Sequence, residues 1–199
     1  DVRDALISRD GHNISSLPSG ATIGTGSARR AGQLTAVRND LNIVDIRGNV
    51  DTRIRKVYSG QVDGVLLATA GLSRLGCLEQ ATELIPIELM LPAVGQGALA
   101  LQVRSNDIEA LNLVGALDHL QTRLATNSER AFLRRLDSGC ESAVAALGKL
   151  PDSNLIHLRG LITDTNGSLI KGELTGAVDE AELLGIRLAD QLLAQGADS

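Results

Sequence analysis

The chain has 199 residues and a formal net charge of −5, which allows one large domain or two small ones. The acidic balance and the absence of a polybasic run argue against binding of nucleic acid. No apolar run approaches the roughly 18 residues that a membrane-spanning helix needs, and no signal-peptide pattern opens the chain, so we expect a cytoplasmic protein that binds no membrane.

The first half of the chain alternates strand and helix patterns. The predicted strands are Ala5–Ser8, Thr22–Gly24, Leu41–Ile46 and Val62–Ala68, and the predicted helices are Ser27–Arg38, Val50–Tyr58 and Ala70–Leu75. Strand, helix, strand, helix and strand in this order form a βαβαβ unit. The fold class is therefore α/β, with a parallel sheet and helices on its faces.

The second half changes pattern after a crossing segment, Leu84–Leu101, that contains two prolines. The predicted helices are Ile108–Leu117, Thr122–Leu136 and Asp179–Gln195, and the predicted strands are Val144–Lys149, Leu155–Thr163 and Ser168–Thr175, the last two joined by a D-T-N-G turn. We expect a small α+β domain with an antiparallel three-stranded sheet and helices on one side, after a boundary near residues 116–120. The chain begins without Met in D-V-R-D-A-L-I-S, which indicates a fragment or a processed product.

Arginine dominates the positive charge of this chain. Of 19 basic residues only Lys56, Lys149 and Lys171 are lysine. The planar fork of arginine pairs bidentately with carboxylate or phosphate, whereas lysine acts as a point charge. Where the arginines lie along the chain therefore indicates where an anion would bind.

Two arginine-containing segments follow neighbouring predicted strands. The first, G-T-G-S-A-R-R (24–30), offers Thr25, Ser27, Arg29 and Arg30 at a helix N-terminus, where free N–H groups attract anions. Ordinary helix capping by Thr25 or Ser27 with surface arginines is the alternative. The segment lacks the third glycine of a dinucleotide fingerprint and is not a Walker loop.

The second segment is I-R-G-N-V-D-T-R (46–53), in which Arg47 leaves the strand, Gly48 turns, Asn49 caps the helix and Arg53 lies in its first turns. Carboxyl ends of adjacent parallel strands share one edge, so the arginines of both segments should converge on one cleft. Arg74 follows the next strand and would reach the same rim.

Several residues outside the arginine segments also bear on the site. Gln96 lies in L-P-A-V-G-Q-G-A (91–98), whose glycines suit a hinge, although a structural crossover explains them equally well. Cys140 lies in the turn-like segment D-S-G-C-E (137–141) and is expected to be accessible, whereas Cys77 is expected in the core. The two cysteines and three histidines are too scattered for a metal site, so no metal is expected. Glu129 and Arg130 are interpreted as a structural ion pair.

The two arginine segments and Cys140 together predict a polyanionic organic ligand that is held by arginine forks and anchored to one thiol.

Five ordered motifs closely resemble the porphobilinogen deaminase (hydroxymethylbilane synthase) family, and the resemblance covers essentially the whole chain. Besides the two arginine segments they are A-T-A-G-L-S-R-L-G (68–76), L-P-A-V-G-Q-G-A (91–98) and S-E-R-A-F-L-R-R-L-D-S-G-C (128–140). The family has three domains, the first two built like periplasmic binding proteins, and a dipyrromethane cofactor bound to a cysteine by a thioether. It joins four porphobilinogen molecules head to tail with release of ammonia, and water then frees the linear tetrapyrrole of haem and chlorophyll biosynthesis.

The resemblance implies a role for each matching residue. Cys140 would anchor dipyrromethane, and the cofactor or substrate carboxylates would be held by Thr25, Ser27, Arg29, Arg30, Arg47, Gly48 and Asn49, with Arg53 and Arg74 along the elongation path and Gln96 near the hinge. It also implies a division into residues 1–97 as an α/β ligand-binding domain like the family's second domain, 98–116 as the return segment of a first domain, and 117–199 as the C-terminal domain carrying the cysteine. The parent protein would be a monomer that binds a small-molecule substrate.

The chain departs from the family pattern in three places. Gly26 stands where a serine is usual, and Ser138 and Ala143 replace glycine and proline around the cysteine, where Glu141 adds a carboxylate. The family's H-S-x-K-D segment with the catalytic aspartate does not occur in these 199 residues, so the catalytic residue is unknown within this chain. We therefore expect the chain alone to be inactive.

Two other functions remain as alternatives. The altered cysteine loop and the absent first domain favour a non-catalytic deaminase-like module that binds a small polycarboxylate, whereas retention of Cys140 and of the motif arginines disfavours it. A phosphate-ester enzyme using residues 24–30 lacks a cluster of metal-binding carboxylates and is the weaker alternative.

Overall fold

The computed structural model describes residues 1–136, 143–163 and 168–197. It contains a five-stranded mixed sheet with helices and, separate from it, a three-stranded antiparallel sheet. Among the described residues, no helix is both long enough and apolar enough to cross a membrane.

The first sheet has the strand order β3-β2-β4-β1-β5. Its strands are β1 (Asp4–Ser8), β2 (Thr22–Gly24), β3 (Asn42–Val44), β4 (Gly64–Ala68) and β5 (Glu83–Leu84). Helices α1 (Ala28–Val37), α2 (Val50–Tyr58) and α3 (Thr69–Arg74) follow β2, β3 and β4 in turn. The predicted βαβαβ unit is therefore confirmed, because β2 pairs in parallel with both β3 and β4.

The direction of β1 was not predicted from the sequence. This strand runs antiparallel to both of its neighbours, β4 and β5. A parallel connection needs a long crossover, usually a helix, whereas residues 9–21 between β1 and β2 form turns. Periodicity alone gave no direction for this strand.

Alternate residues of the central strands build a core on each face of this sheet. Ile7 and Val65 lie in the cluster with Val57 of α2, and Leu6 and Leu66 lie in the cluster with Leu34 of α1. Burial of both faces explains why β4 reads as a continuous apolar run.

Residues after β5 cross to the second sheet through turns and extended chain. The remaining elements are α4 (Ile108–Gly115), α5 (Leu120–Leu136), β6 (Val144–Lys149), β7 (Leu155–Thr163), β8 (Leu169–Ala177) and α6 (Ala181–Leu192), with short 3-10 turns at Leu78–Gln80 and Val178–Glu180 and a π-type turn at Leu193–Ala197. The sheet order β6-β7-β8 is antiparallel throughout, as predicted. The predicted D-T-N-G turn lies outside the described residues.

Helices α5 and α6 pack against one face of the second sheet. Phe132 of α5 and Leu188 of α6 are fully buried with Leu158 of β7. The two helices approach closely at Gly185, where a Cβ atom would meet the Ser128 carbonyl oxygen and would lie 2.7 Å from the Phe132 nitrogen. This close approach allows the apolar faces of both helices to pack against the same three-stranded sheet.

The crossing segment joins the two sheets. The amide of Ala146 in β6 donates to the carbonyl oxygen of Pro92 at 3.2 Å. Leu91 is buried in a cluster with Leu147 and Leu161, which lie on the face of the second sheet that α5 and α6 leave open. Residues 91–92 therefore attach the crossing segment to the second sheet.

Residues 98–117 form the most exposed apolar stretch of the described chain. Leu99 is 81% exposed, and Ile108, Leu113 and Leu117 are each exposed by more than 60%. Helix α4 has no buried residue. Contiguous apolar surface of this kind commonly marks a surface that contacts another protein or domain.

We expect Gly185→Ala to destabilise the protein by about 1–3 kcal/mol or more, because backbone atoms of α5 occupy the position that the new methyl group would take. Gly71→Ala in α3 is the matched control, since a Cβ there meets nothing within 4 Å and alanine favours a helix by roughly 0.5–1 kcal/mol. Urea unfolding measures both variants. Equal stabilities for the two variants would contradict the close helix approach.

Candidate functional site

The carboxyl ends of β2, β3 and β4 meet at one edge of the first sheet, and the predicted binding segments begin there. Thr25 follows β2, is buried, and its amide donates to the Val44 carbonyl oxygen at 2.9 Å. The Ser27 hydroxyl caps α1 by accepting from the Arg30 amide at 3.4 Å. Capping by Ser27 thus occurs as the alternative interpretation expected, but Arg29 and Arg30 are buried rather than on the surface.

Arg29 and Arg30 are buried against a carboxylate, Asp4, that the sequence analysis did not select. Asp4 is fully buried, and the side chains of Arg29 and Arg30 are only 6% and 11% exposed. Arg29 Nη1 donates to Asp4 Oδ2 at 2.7 Å, while Arg30 Nε and Nη2 donate to Asp4 Oδ1 at 3.0 and 2.8 Å. A buried charge without partners is very costly, so each of these three groups requires the others.

Backbone carbonyl groups complete the surroundings of the two guanidinium groups. Arg29 Nη1 also donates to the Leu91 carbonyl oxygen at 2.6 Å, and Arg30 Nη1 donates to the Leu66 carbonyl oxygen at 3.1 Å. Burial lowers the pKa of Arg29, and the hydrogen bond and charge of Asp4 oppose that shift. The pair is therefore held on three sides, by β1, β4 and the crossing segment.

Gln96 belongs to the same cluster. Its Nε2 donates to Asp4 Oδ1 at 2.9 Å and to the Val2 carbonyl oxygen at 2.8 Å, and its Oε1 accepts a long 3.5 Å contact from Arg29 Nη2. Gln33 of α1, also not selected from sequence, exchanges hydrogen bonds with the backbone N–H and carbonyl of Leu91 at 2.7 and 3.0 Å. Two amide side chains thus fix the crossing segment to the arginine pair.

Arg47 and Arg53 lie in the next loop and interact with their own segment. Arg47 is 89% exposed on its side chain and contacts Asp45 at 3.1 Å. Arg53 Nε donates to the carbonyl oxygen of Gly48, whose φ of 121° suits glycine. These contacts are local to residues 45–53, so convergence of all four arginines on one ligand stays a prediction.

Two further predicted binding residues, Asn49 and Arg74, lie on the helices that follow β3 and β4. The Asn49 side chain accepts from the Thr52 amide at 2.9 Å, which confirms the predicted cap of α2. Arg74 is exposed in the last turn of α3. These placements leave the exposed arginines accessible to a ligand, whereas Arg29 and Arg30 already have internal partners.

The structure describes one of the two cysteines, Cys77. Cys77 is buried, burial raises the pKa of its thiol, and its Sγ contacts the Leu72 carbonyl oxygen, which confirms the predicted core position. Cys140, Ser138 and Glu141 lie outside the described residues. Within the described residues, no group of three or more His, Cys, Asp or Glu side chains is arranged to hold a metal ion.

The interpretation of Glu129 and Arg130 as an ion pair was wrong. Adjacent helical residues point in different directions, and Arg130 faces solvent while Glu129 is buried. Glu129 Oε2 accepts from the Gly95 amide at 2.7 Å and Oε1 from the Gly148 amide at 2.9 Å. Glu129 therefore ties helix α5 to the crossing segment next to Gln96.

Comparison with known proteins identifies the family. The family model "Porphobilinogen deaminase, dipyromethane cofactor binding domain" matches residues 1–112, which is more than half of the chain. The chain belongs to the porphobilinogen deaminase family. A second model, the C-terminal domain of porphobilinogen deaminase, matches residues 123–194.

Relatives named porphobilinogen deaminase are similar over nearly the whole chain. The chain is 47% identical to that of Roseiflexus sp. (strain RS-1) over 196 residues, 98% of this chain and 64% of the relative. It is 46% identical to that of Desulforudis audaxviator over 195 residues, 98% of this chain and 63% of the relative. The chain therefore spans less than two thirds of the length of these relatives.

The residues present fit the cofactor that the family model names. Pyrrole side chains carry carboxylates, and the cluster of Arg29, Arg30 and Asp4 has one more positive than negative charge. The family's usual serine at position 26 would be tightly placed here, because a Cβ atom on Gly26 would lie 3.0 Å from Asp45 Oδ1. Gly26 removes a hydroxyl donor but leaves the arginine donors unchanged.

Glu129 makes stability depend on pH in this deaminase-family chain. Burial raises the pKa of Glu129 above its ordinary value of 4.5, although its two backbone N–H partners act in the opposite direction. A raised carboxyl pKa means that the folded state binds the proton more tightly than the unfolded chain does. The stabilisation from protonated Glu129 is therefore complete below pH 4.5 and is lost as the pH rises through the raised value.

We expect the free energy of unfolding of the wild type, relative to Glu129→Gln, to fall as the pH rises from 4.5 and to level off above the raised pKa. Urea unfolding of both proteins between pH 4 and 8 measures the difference. Other titrating groups cancel because both proteins contain them. A difference that stays constant or rises over this range would contradict the raised pKa.

Proposed function

We propose that this chain is the cofactor-holding part of a porphobilinogen deaminase (hydroxymethylbilane synthase), a transferase. The parent enzyme would condense four porphobilinogen molecules stepwise, release ammonia at each step and yield linear hydroxymethylbilane for tetrapyrrole biosynthesis. Family membership supports this function, and the observation that carries it is the buried arginine pair with excess positive charge. Among the described residues, no contact favours the non-catalytic polycarboxylate-binding alternative over it.

Dipyrromethane would be attached to Cys140 through a thioether. When bound, the group supplies the pyrrole unit to which further pyrroles are joined. Helix α5 ends four residues before Cys140, and Glu129 of that helix is tied to the turn that presents Gln96. Helix α5, which precedes Cys140 in the sequence, is thereby tied to the segment that contacts the arginine pair.

Arg29 and Arg30 would bind pyrrole carboxylates through the N–H groups that Asp4 and the carbonyls leave free. Their burial excludes water, which strengthens each charged hydrogen bond. Thr25, Ser27, Gly48 and Asn49 would line the same edge with short polar groups and backbone N–H donors. The exposed residues Arg47 and Arg74, together with Arg53, would bind carboxylates of the growing chain.

Proton transfer to the pyrrole nitrogen and the leaving amine would depend on an aspartate of the H-S-x-K-D segment, which these 199 residues do not contain. Residues 1–97 would form the ligand-binding domain, built like a periplasmic binding protein, 98–116 the return segment of a first domain, and 117–199 the cysteine-bearing domain. A first domain packed on residues 98–116 would cover the exposed apolar side chains of α4. The parent would be a cytoplasmic monomer.

We expect the intact mass of the purified chain to show a dipyrromethane adduct that peptide mapping places on Cys140. Cys140→Ser should lose the adduct, and Cys77→Ser is the matched control that should keep it, since Cys77 is buried in the core. An adduct on another residue would contradict the assignment of Cys140. An unmodified wild-type chain would contradict cofactor retention by these residues alone.

The purified 199-residue chain should not consume porphobilinogen, because it lacks a proton donor for the leaving amine. A colorimetric porphobilinogen assay over several hours, with a full-length porphobilinogen deaminase as positive control, checks this expectation. Measurable turnover would show that the chemistry needs no group beyond those in this chain.

A further inference from the structure

The cluster of Asp4, Arg29 and Arg30 has an unusual charge balance for a site that binds anions. One carboxylate lies fully buried between two nearly buried guanidinium groups, so the cluster carries a net charge of +1 rather than +2. The carboxylate receives a fourth donor, Gln96 Nε2, at 2.9 Å. The Asp4 carboxylate therefore already accepts hydrogen bonds from some of the N–H groups of both arginines.

The donors that remain can be counted. Each guanidinium has five N–H groups. Arg29 uses both N–H groups of Nη1 on Asp4 and Leu91, and its Nη2 makes only the long 3.5 Å contact to Gln96. Arg30 uses Nε and one N–H group of Nη2 on Asp4 and one N–H group of Nη1 on Leu66. Among the described residues, Nε of Arg29 and one N–H group on each terminal nitrogen of Arg30 make no hydrogen bond, and Nη2 of Arg29 makes only the long contact to Gln96.

We propose that Asp4 is a positioning residue that sets the anion specificity of the arginine pair. It holds both guanidinium groups in one orientation and reduces their combined charge so that the site accepts a single carboxylate. Because this assignment rests on the proposed carboxylate-binding role of Arg29 and Arg30, it deepens that function by naming the anion class, a monoanion.

The physical reason is the cost of uncompensated charge in a buried site. A net charge of +1 is neutralised by one carboxylate, whereas a dianion would leave an excess negative charge out of water. Replacing Asp4 by asparagine keeps the shape and raises the cluster charge to +2. The variant should then prefer a dianion, and its arginines should lose their fixed orientation because a neutral amide pairs with guanidinium groups less strongly.

The experiment titrates the 199-residue chain with propionate and, separately, with sulfate, while NMR follows the side-chain N–H signals of Arg29 and Arg30. In the wild type we expect propionate to bind more tightly than sulfate. In Asp4→Asn we expect the dissociation constant for sulfate, divided by that for propionate, to fall by about tenfold or more. Asp40→Asn is the matched control, because Asp40 pairs with Arg38 at distances similar to those of Asp4 but on the exposed surface, and it should leave the ratio unchanged.

A wild-type measurement keeps the proposal testable if Asp4→Asn does not fold. Guanidinium groups fixed by Asp4 should rotate slowly and give separate Nη1 and Nη2 signals for Arg29 and Arg30, unlike the exposed Arg47. Averaged signals for the buried pair would overturn the proposal. An unchanged anion ratio in a folded Asp4→Asn would overturn it while leaving the carboxylate-binding role intact, and absence of wild-type propionate binding would overturn both.

Discussion

The ion pairs of Asp4 with Arg29 and Arg30 are the interaction on which the site depends. The antiparallel direction of β1 makes this contact possible, because it brings the first residue of that strand, rather than the last, to the carboxyl edge of the parallel strands. The register pairs Asp4 with Ala68 at that edge and Ser8 with Gly64 at the opposite end. A parallel β1 would carry Asp4 to the far side of the sheet and leave two buried cations without an anion.

The crossing segment transmits this arrangement to the second sheet. Leu91 and Gln96 contact the arginine pair, while Pro92 and Gly95, between them in sequence, accept or donate hydrogen bonds to the C-terminal part. The two outer residues of this stretch thus bind the first part, and the two inner residues bind the second part. Glu129 links the crossing segment to the C-terminal part. Burying its carboxyl group costs free energy, and hydrogen bonds from two backbone N–H groups offset that cost.

The sequence predicted local structure well and long-range partners poorly. The residue pattern after the cysteine segment located β6 and β7 to the residue, and a short polar side chain followed by a helical pattern located the cap at Asn49. These signals involve neighbours within four residues. The partners of Asp4 are 25, 26 and 92 residues away, and no periodicity encodes such distances. A charged residue at the start of an apolar strand was nevertheless a usable signal, because a buried charge requires a partner.

The arginines of the site fall into two physical classes, and the proposed function would use both. Arg29 and Arg30 have lost their side-chain freedom on folding, so binding a carboxylate there costs little further entropy and fixes its position. Arg47 keeps its freedom, and a contact there is weaker and readily exchanged. The proposed ligand, with one fixed end and one advancing end, would need both classes. The buried pair suits the fixed end because Asp4 orients it before any ligand arrives, and the exposed arginines suit carboxylates that must move past them.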